Sequence, residues 1–474
     1  MTSSIETNLQ VFTRLIDDTG LEHKDYQYEG VKWCLTNELR TDSPKGVRGG
    51  FIADEMGLGK TITMIGTIVT NPLPYTLIVV PPILIQQWQH QISTTMNIQP
   101  LIFHGNHKKK ITFDIISKYS IVITSYGAIT MNKRQLLSND YTLLHLFNWN
   151  RIIFDESHHM RNANTQLHIS AQLLKSDIRW LVSGTPVQNC KQDFYSLCSL
   201  IKLPTSFYSN KDNLREIAKS FILKRTKKQV GILIPDLKLQ QTYIKWTNPT
   251  EKHISKQIHA CLDFANIQTD DQHLYTQKIP PIVHMIRAKQ SCIMAKLMKN
   301  SLHKYNLSID NASIHESSKI NFITQHIYQR KHNNTGKIVF CNYKLEIDLF
   351  HKQFTELGLS VAVIDGRVNK THRDIILSRP YDVLILQIQT GCEGLNLQLF
   401  YSEIYFVTPH WNPSVEDQAI ARCHRIGQTK PVYVFRFLMN TFDEKDTHLP
   451  TLNIETYTNG TQLNKRNIIN SIMI

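Results

Sequence analysis

Short runs of apolar, often β-branched residues alternate with helical patterns in two stretches of the chain, about residues 45–200 and 336–440. Apolar strands separated by helices are typical of parallel sheets that helices cover on both faces. The pattern therefore predicts an α/β protein with two lobes, each built on a parallel sheet. The expected strands are TLIVV (76–80), SIVIT (120–124), RIIF (151–154) and RWLVS (179–183), then KIVF (337–340), VAVI (361–364), VLIL (383–386), EIYFV (403–407) and VYVF (432–435).

The region between the two stretches has the periodicity of helices. Ile254, Ile258 and Leu262 fall on one side of a helix, and Ile282 and Ile286 do the same further along. We therefore expect a helical insertion that joins the lobes. The predicted divisions are a first lobe over 1–235, an insertion over 236–310, a second lobe over 311–450 and a polar tail over 451–474.

Charge and composition narrow the class of protein. The formal net charge is +14, which favours a polyanionic partner, nucleic acid first and an acidic membrane surface second. No apolar run reaches the roughly 20 residues that span a bilayer. None of the eight cysteines forms a C-x-x-C pair, which argues against a structural zinc site. We expect a soluble intracellular protein.

The stretch GGFIADEMGLGKT (49–61) has an apolar strand, a turn containing glycines, and Gly-Lys-Thr at the start of a helix. This context is the one that a phosphate-binding Walker A loop requires, because backbone N–H groups and the helix N-terminus face the phosphates. Lys60 would reach the β- and γ-phosphates, and Thr61 would bind the metal ion. Asp54 stands where the first glycine of the pattern is usual.

Two further strands end in polar residues. RIIFDESH (151–158) places Asp155 and Glu156 at a strand end, where Asp155 can hold Mg²⁺ and Glu156 can orient a water molecule. RWLVS ends in Ser183 and leads into Gly184 and Thr185, where small hydroxyl groups can sense the γ-phosphate and signal to the other lobe. Taken alone, the first pair could simply cap a helix and the second could form a tight turn.

Two arginines in QAIARCHRIGQ (418–428) are separated by three positions. If this segment is helical, the spacing puts Arg422 and Arg425 on one face. Such a face is usually a solvated salt-bridge ladder, but here Trp411, Asn412 and Pro413 precede it and Gly427 follows it.

In their order, these motifs resemble those of the Swi/Snf-type ATPases of helicase superfamily two. The resemblance covers about residues 20–440. It adds YQYEGVKW (26–33), similar to an adenine-recognising glutamine element, and LIVVPPILIQQW, ITSYGAI, FILKRTKKQV, KIVFCNY and QTGCEGLNL as further motifs. Cys392 and Glu393 replace the small residues usual in the last of these. The family fold implies two RecA-like lobes.

The resemblance also implies the site. ATP and Mg²⁺ would be the cofactors, with Lys60, Glu156, Arg422 and Arg425 as catalytic residues and Thr61 and Asp155 on the metal ion. Arg422 and Arg425 would act as arginine fingers from the second lobe, so that hydrolysis requires closure. The residues expected to contact the nucleotide are Gln27, Asp54, Glu55, Met56, Gly57, Leu58, Gly59, Lys60, Thr61, Asp155, Gly394 and Gln418.

A motor of this family would grip DNA, with duplex preference implied by the resemblance alone, through sequence-independent backbone contacts. We expect a monomeric translocase that remodels protein–DNA complexes, with nucleosomes or transcription machinery as further partners, located in a nucleus or a viral factory. The alternatives are a strand-separating helicase and a nucleic-acid-binding scaffold with an inactive ATP site. The residues expected near DNA are Gln86, Gln87, Thr124, Ser125, Asn396, HKKK (107–110), Lys224, Arg225, Lys227 and Lys228.

Overall fold

The computed structural model describes residues 2–185, 191–262, 281–305, 307, 316–391, 395–442 and 453–472. The chain forms two compact units, Met1–Leu233 with Lys465–Ile474, and Ile234–Asn464. Each unit is built on one sheet in which every strand pair is parallel. The predicted fold class, two α/β lobes with parallel sheets between helices, is therefore confirmed.

The sheet of the first unit has the strand order β3-β4-β2-β5-β6-β1-β7. Ile52 and Asp155 both pair with Val182, so three strands end at the same edge. This edge collects the loop after β1, the carboxylates after β5 and the residues after β6. The strands are β1 (Arg48–Ile52), β2 (Thr76–Val80), β3 (Leu101–Phe103), β4 (Ile121–Ser125), β5 (Asn148–Asp155), β6 (Lys175–Val182) and β7 (Ile222–Leu223).

Helices cover both faces of this sheet because successive side chains of a strand point to opposite faces. Phe51 and Phe154 pack into the core on one face, and Ile52 and Ile153 pack on the other. The helices of the first unit are α1 (Thr2–Thr19), α2 (Asp25–Leu39), α3 (Lys60–Thr70), α4 (Ile85–Met96), α5 (Phe113–Ile116), α6 (Tyr126–Ile129), α7 (Lys133–Ser138), α8 (Leu143–Leu146), α9 (Gln166–Leu173), α10 (Lys191–Leu200), α11 (Thr205–Tyr208) and α12 (Leu214–Phe221).

The sheet of the second unit has the order β10-β11-β9-β12-β13-β8. Its strands are β8 (Leu237–Ile244), β9 (Gly336–Cys341), β10 (Val361–Ile364), β11 (Val383–Gln387), β12 (Tyr401–Phe406) and β13 (Val432–Met439). Its helices are α13 (Pro249–His259), α14 (Pro281–Ile293), α15 (Ser318–Gln329), α16 (Lys344–Glu356), α17 (Lys370–Leu377), α18 (Ile388–Gly391) and α19 (Pro413–Ile420), and α20 (Ile454–Ile472) begins in this unit.

The residues predicted to form a separate insertion belong to the second unit. β8 pairs with β13 along its whole length of eight residues. Ile254 of α13 and Cys292 of α14 lie in the same buried core as Phe435 of β13. The division therefore differs from the one expected from the sequence, because the helices cover a face of the second sheet and add an edge strand to it.

The segment predicted as a polar tail also joins a core. Ile454 and Glu455 are fully buried at the start of α20, and Glu455 forms an ion pair with Lys319 of α15. Among the described residues, no helix is both long enough and apolar enough to cross a membrane.

Candidate nucleotide site and arginine segment

The predicted phosphate loop connects β1 to the start of α3. Gly57 (φ +92°) and Gly59 (φ +74°) adopt left-handed conformations that glycine tolerates best. The Lys60 ammonium group donates to the backbone carbonyl of Asp54 at 3.0 Å, across the loop. The strand, turn and helix expected from the sequence are all present, and the loop leads into the N-terminus of α3, a position that favours anions.

Gln27 lies against this loop. Its side chain is only 8% exposed, and its amide nitrogen donates to the Leu58 carbonyl at 3.4 Å. A side chain at Gly59 would meet this amide, since a Cβ there would lie 2.4 Å from it. The fold therefore brings together the glutamine element and the loop that the sequence predicted as parts of one site.

Asp155 is buried at the end of β5, and its carboxylate accepts a hydrogen bond from the Trp88 indole at 2.7 Å. Burial and the adjacent Glu156 raise the pKa of Asp155 to about 7, against the opposing effects of Trp88 and Lys60. A carboxylate held in this way gains from a bound cation. The oxygen ligands offered by Asp155 and Thr61 are of the kind that Mg²⁺ prefers, so these residues fit the implied metal ion.

Glu156 has φ +51°, a left-handed conformation that is uncommon for residues other than glycine. Strain of this kind is often stored at functional sites. The backbone N–H of Glu156 donates to the Asp155 carboxylate at 3.0 Å. The two carboxylates therefore differ in environment, with Asp155 hydrogen-bonded to Trp88 and Glu156 lying beside His158.

The residues after β6 contact those after β5. His158 Nδ1 lies 3.1 Å from the Ser183 hydroxyl and 3.3 Å from a Glu156 carboxylate oxygen. A Cβ added at Gly184 would lie 3.3 Å from the Lys60 ammonium nitrogen. The structure thus places Gly184 beside the phosphate loop. It also adds His158 as a link that sequence reasoning missed, although its position two residues after Glu156 was visible.

Two basic residues expected near DNA lie instead on the phosphate loop. Arg225 forms an ion pair with the buried carboxylate of Asp54, and Lys227 forms one with Glu55 at 3.0 Å. The side chains of Arg225 and Lys227 are 16% and 6% exposed. The DNA-facing role predicted for these two residues is therefore wrong, because both are engaged inside the first unit.

The hydroxyl contacts to DNA expected of two further residues are also contradicted. Thr124 is fully buried, and its hydroxyl donates to the Phe103 carbonyl at 2.8 Å. Ser125 is 2% exposed, and its hydroxyl lies 2.9 Å from His104 Nδ1. Neither hydroxyl can reach a phosphate. Gln86 and Gln87, in contrast, are exposed at the start of α4.

The arginine segment of the second unit follows α19, which ends at Ile420. Arg422 and Arg425 therefore lie in turns and not on a helical face as predicted. The Arg422 carbonyl, which would accept from an N–H group in the next turn of a helix, accepts instead from Leu397 N–H at 3.1 Å. The side chain of His424 contacts another segment, with Nε2 2.9 Å from the Pro235 carbonyl.

Arg425 is held by a neutral group. Its guanidinium donates to the side-chain carbonyl of Asn396, and its Nε has no partner among the residues that the structure describes. Burial, and then the charge of Arg422, lower the pKa of Arg425. An anion would relieve both effects, which is the property expected of an arginine that meets a phosphoryl group.

Gln418 is buried in α19 at 5% exposure, and its amide nitrogen is without a hydrogen-bond partner within the described ranges. It precedes the two arginines in the same unit. Gly394, the remaining predicted nucleotide contact, lies outside the described residues, as do Cys392 and Glu393.

Comparisons with known proteins agree with the motif order. Residues 26–334 match the SNF2-related domain, and residues 318–427 match the helicase conserved C-terminal domain. An ATP-dependent DNA helicase of Arabidopsis thaliana is 28% identical over 88% of this chain. A probable global transactivator of Orgyia pseudotsugata multicapsid polyhedrosis virus is 25% identical over 94% of this chain.

Among solved structures, the chain is similar to the Sulfolobus solfataricus SWI2/SNF2 ATPase core in complex with dsDNA, with 22% identity, 95% of this chain and 96% of that chain covered, and a TM-score of 0.41. The shares of the curated relatives differ widely. The chain spans 59% of the length of the Arabidopsis protein but 91% of the viral one.

Proposed function

Because the chain belongs to the SNF2-related family, we propose that it is a DNA-dependent ATPase that moves along double-stranded DNA and remodels protein–DNA complexes. The observation that carries the proposal is the convergence at one sheet edge of Lys60, Asp155, Glu156 and Gly184. Asp155 and Glu156 come from the end of β5, Gly184 follows β6, and Lys60 begins α3 after the loop that follows β1. Ligand sites of α/β proteins form where the carboxyl ends of parallel strands meet.

The arrangement supports phosphoryl transfer from ATP to water. The backbone of residues 54–61 and the Lys60 ammonium group would hold the phosphates, while Gln27 would bind the base. Thr61 and Asp155 would hold Mg²⁺, which when bound neutralises phosphate charge. Glu156 would orient the attacking water. Each role requires a residue of the type found at that position.

Arg422 and Arg425 are the proposed source of positive charge for the γ-phosphoryl oxygens. Charge spreads onto these oxygens in the transition state, and a guanidinium stabilises it in a dry site. Arg425 is half-buried, has a neutral partner and a lowered pKa, and is therefore suited to this task. Gln418 and Gly394 remain proposed nucleotide contacts.

Several observations support DNA as the substrate. The net charge is +14, and Gln86, Gln87, Lys109 and Lys110 are exposed in the first unit. The Arabidopsis relative is described as a DNA helicase and the viral relative as a transactivator. We therefore propose backbone contacts to duplex DNA by a monomeric motor, with nucleosomes or transcription machinery as partners, in a nucleus or a viral factory.

The deciding experiment measures ATP hydrolysis by the purified chain with duplex DNA, single-stranded DNA, RNA and no nucleic acid. We expect stimulation by duplex DNA and loss of turnover in Lys60→Ala. Equal turnover in all four conditions would contradict a DNA-dependent motor, and turnover absent throughout would favour the scaffold.

Movement is tested separately from hydrolysis. Displacement of a third strand from a DNA triplex reports translocation along a duplex, and a forked duplex reports strand separation. We expect ATP-dependent triplex displacement and an intact fork. Unwinding of the fork would favour the strand-separating helicase.

A further inference from the structure

The segment that follows β7 lies along the phosphate loop through backbone hydrogen bonds. Ala53 N–H donates to the Leu223 carbonyl at 2.7 Å, and Glu55 N–H donates to the Arg225 carbonyl at 2.9 Å. These bonds extend the parallel pairing of β1 with β7 beyond the strand ends. The first half of the loop is therefore fixed to residues that lie some 170 positions later in the sequence.

Arg225 holds the Asp54 carboxylate from several directions. Its backbone N–H donates to Asp54 Oδ1 at 3.0 Å and its Nε donates to the same oxygen at 3.1 Å, while Nη2 donates to Oδ2. The side chain of Asp54 is 0% exposed. This is the forked geometry in which guanidinium and carboxylate groups bind each other most specifically.

Lys227 holds Glu55 in a similar way. Its ammonium nitrogen lies 3.0 Å from Glu55 Oε1, and its backbone N–H donates to Oε2 at 2.8 Å. Glu55 differs from Asp54 in being 40% exposed. The second pair is therefore more screened by water than the first, and its loss should have a smaller effect.

Two carboxylates in a loop that binds a triphosphate present an electrostatic problem. An unpaired charge on Asp54 would be costly because the group is buried, and it would repel the phosphates through a medium that screens poorly. We propose that Arg225 and Lys227 are positioning residues of the nucleotide site, which neutralise Asp54 and Glu55 so that Lys60 determines the charge that ATP meets. This inference rests on the proposed ATP-binding function.

Arg225 also connects the loop to the base-binding side of the site. Its Nη1 donates to the Tyr26 carbonyl, and its guanidinium lies 5.7 Å from the centre of the Tyr26 ring. Tyr26 directly precedes Gln27 in α2. One arginine thus fixes both the loop that would hold the phosphates and the helix that carries the glutamine.

The test is a double-mutant cycle on ATP affinity, measured by titration with a fluorescent ATP analogue in the presence of Mg²⁺ and without DNA. Arg225→Met should weaken binding about tenfold to a hundredfold, because the buried Asp54 charge is then uncompensated. Adding Asp54→Asn should restore affinity to within about threefold of the wild type, since no uncompensated charge remains. Arg225→Lys should retain most of the affinity.

Lys219→Met is the matched control, because it removes the same charge from an exposed position in α12. Its affinity should equal that of the wild type. Lys227→Met with and without Glu55→Gln repeats the cycle at the second pair, with a smaller loss and the same rescue. This second cycle also serves if Arg225→Met does not fold, as judged by circular dichroism.

Three results would overturn the inference. The first is a folded Arg225→Met/Asp54→Asn double variant that binds ATP as weakly as Arg225→Met, which would show that Arg225 does not act by neutralising Asp54. Wild-type ATP affinity in both Arg225→Met and Lys227→Met would also overturn the inference. Both results leave the proposed function intact, whereas a wild-type protein that binds no ATP would remove the proposed function along with the inference.

Discussion

In the phosphate loop of the first unit, Asp54 and Glu55 each form an ion pair with a basic side chain. In the second unit, Arg425 instead donates a hydrogen bond to the neutral amide of Asn396. The difference shows which charges are already compensated by the fold and which are left for a ligand. In the loop, both carboxylates are paired with basic side chains. Arg425 is half-buried, its pKa is lowered, and its buried Nε lacks a partner within the described residues.

Removing the uncompensated arginine should have the largest effect. Arg425→Ala should lower kcat by about 10³–10⁵, the range typical of arginine fingers, because the transition-state charge loses its partner. ATP affinity should change by less than about tenfold, because the proposed ground-state contacts lie in the phosphate loop. Stopped-flow binding and steady-state turnover measure the two quantities.

Arg379→Ala, an exposed arginine of the same unit, is the control for charge and should turn over normally. If Arg425→Ala hydrolysed ATP at the wild-type rate, the uncompensated arginine would have no catalytic role and the contrast between the two regions would lose its functional meaning.

The next prediction concerns Glu156 in the first unit. Glu156→Gln should lower kcat by about 10²–10⁴, as expected for loss of a group that acts on the proton of the attacking water. ATP should still bind, because the exchange is nearly isosteric and leaves Asp155 in place. The exposed Glu216→Gln is the control. A variant that failed to bind ATP would show that Glu156 holds the nucleotide and not the water.

The sequence predicted the strands and the local motifs well, because both depend on neighbouring residues. TLIVV and VAVI are strands with the expected bounds. The polar β8 was missed, because LKLQQTYI has no apolar run and gains its partner only from β13, nearly two hundred residues later.

The site was predictable only where its residues are close in sequence. Arg225 looked like a DNA contact because basic runs are usually exposed, and its pairing with Asp54 depends on strand β7 joining the sheet beside β1. Thr124 and Ser125 looked available because a motif carries no record of burial. The end of α19 before Arg422 depends on Leu397, which comes from another segment.

His259, in the second unit, can gain a charge but has neutral partners, so we also expect the stability of the protein to depend on pH. His259 is buried in α13, donates from Nδ1 to the Ser255 carbonyl at 2.7 Å and accepts at Nε2 from Ile454 N–H at 3.1 Å. Protonation would put a second donor against Ile454 N–H. Burial accordingly lowers the pKa of His259 to about 4.

The pKa of His259 is lower in the folded protein than in the unfolded chain. The stability that neutral His259 allows is therefore fully present above pH 6.5 and is lost as the pH falls towards 4. The loss should be about 2–3 kcal/mol. His259→Gln should flatten the pH dependence of the free energy of unfolding in urea over this range, while the exposed His253→Gln should leave it unchanged. Equal slopes for all three proteins would contradict the role of His259.

The smallest expected effect comes from a substitution that gives Arg425 an ion pair like those of the phosphate loop. Asn396→Asp would give Arg425 the carboxylate partner that Asp54 already gives Arg225. The new ion pair would stabilise Arg425 before ATP arrives and compete with the phosphoryl group, so kcat should fall about tenfold, or ~1.4 kcal/mol in transition-state free energy. Asn396→Ala only removes the neutral contact and should lower kcat less.

If Asn396→Asp were as active as the wild type, or less impaired than Asn396→Ala, the activity would not depend on an arginine that has no carboxylate partner. Measuring duplex affinity in parallel separates this outcome from a direct DNA contact by Asn396, because a lost backbone contact weakens DNA binding in both variants whereas a retained arginine does not.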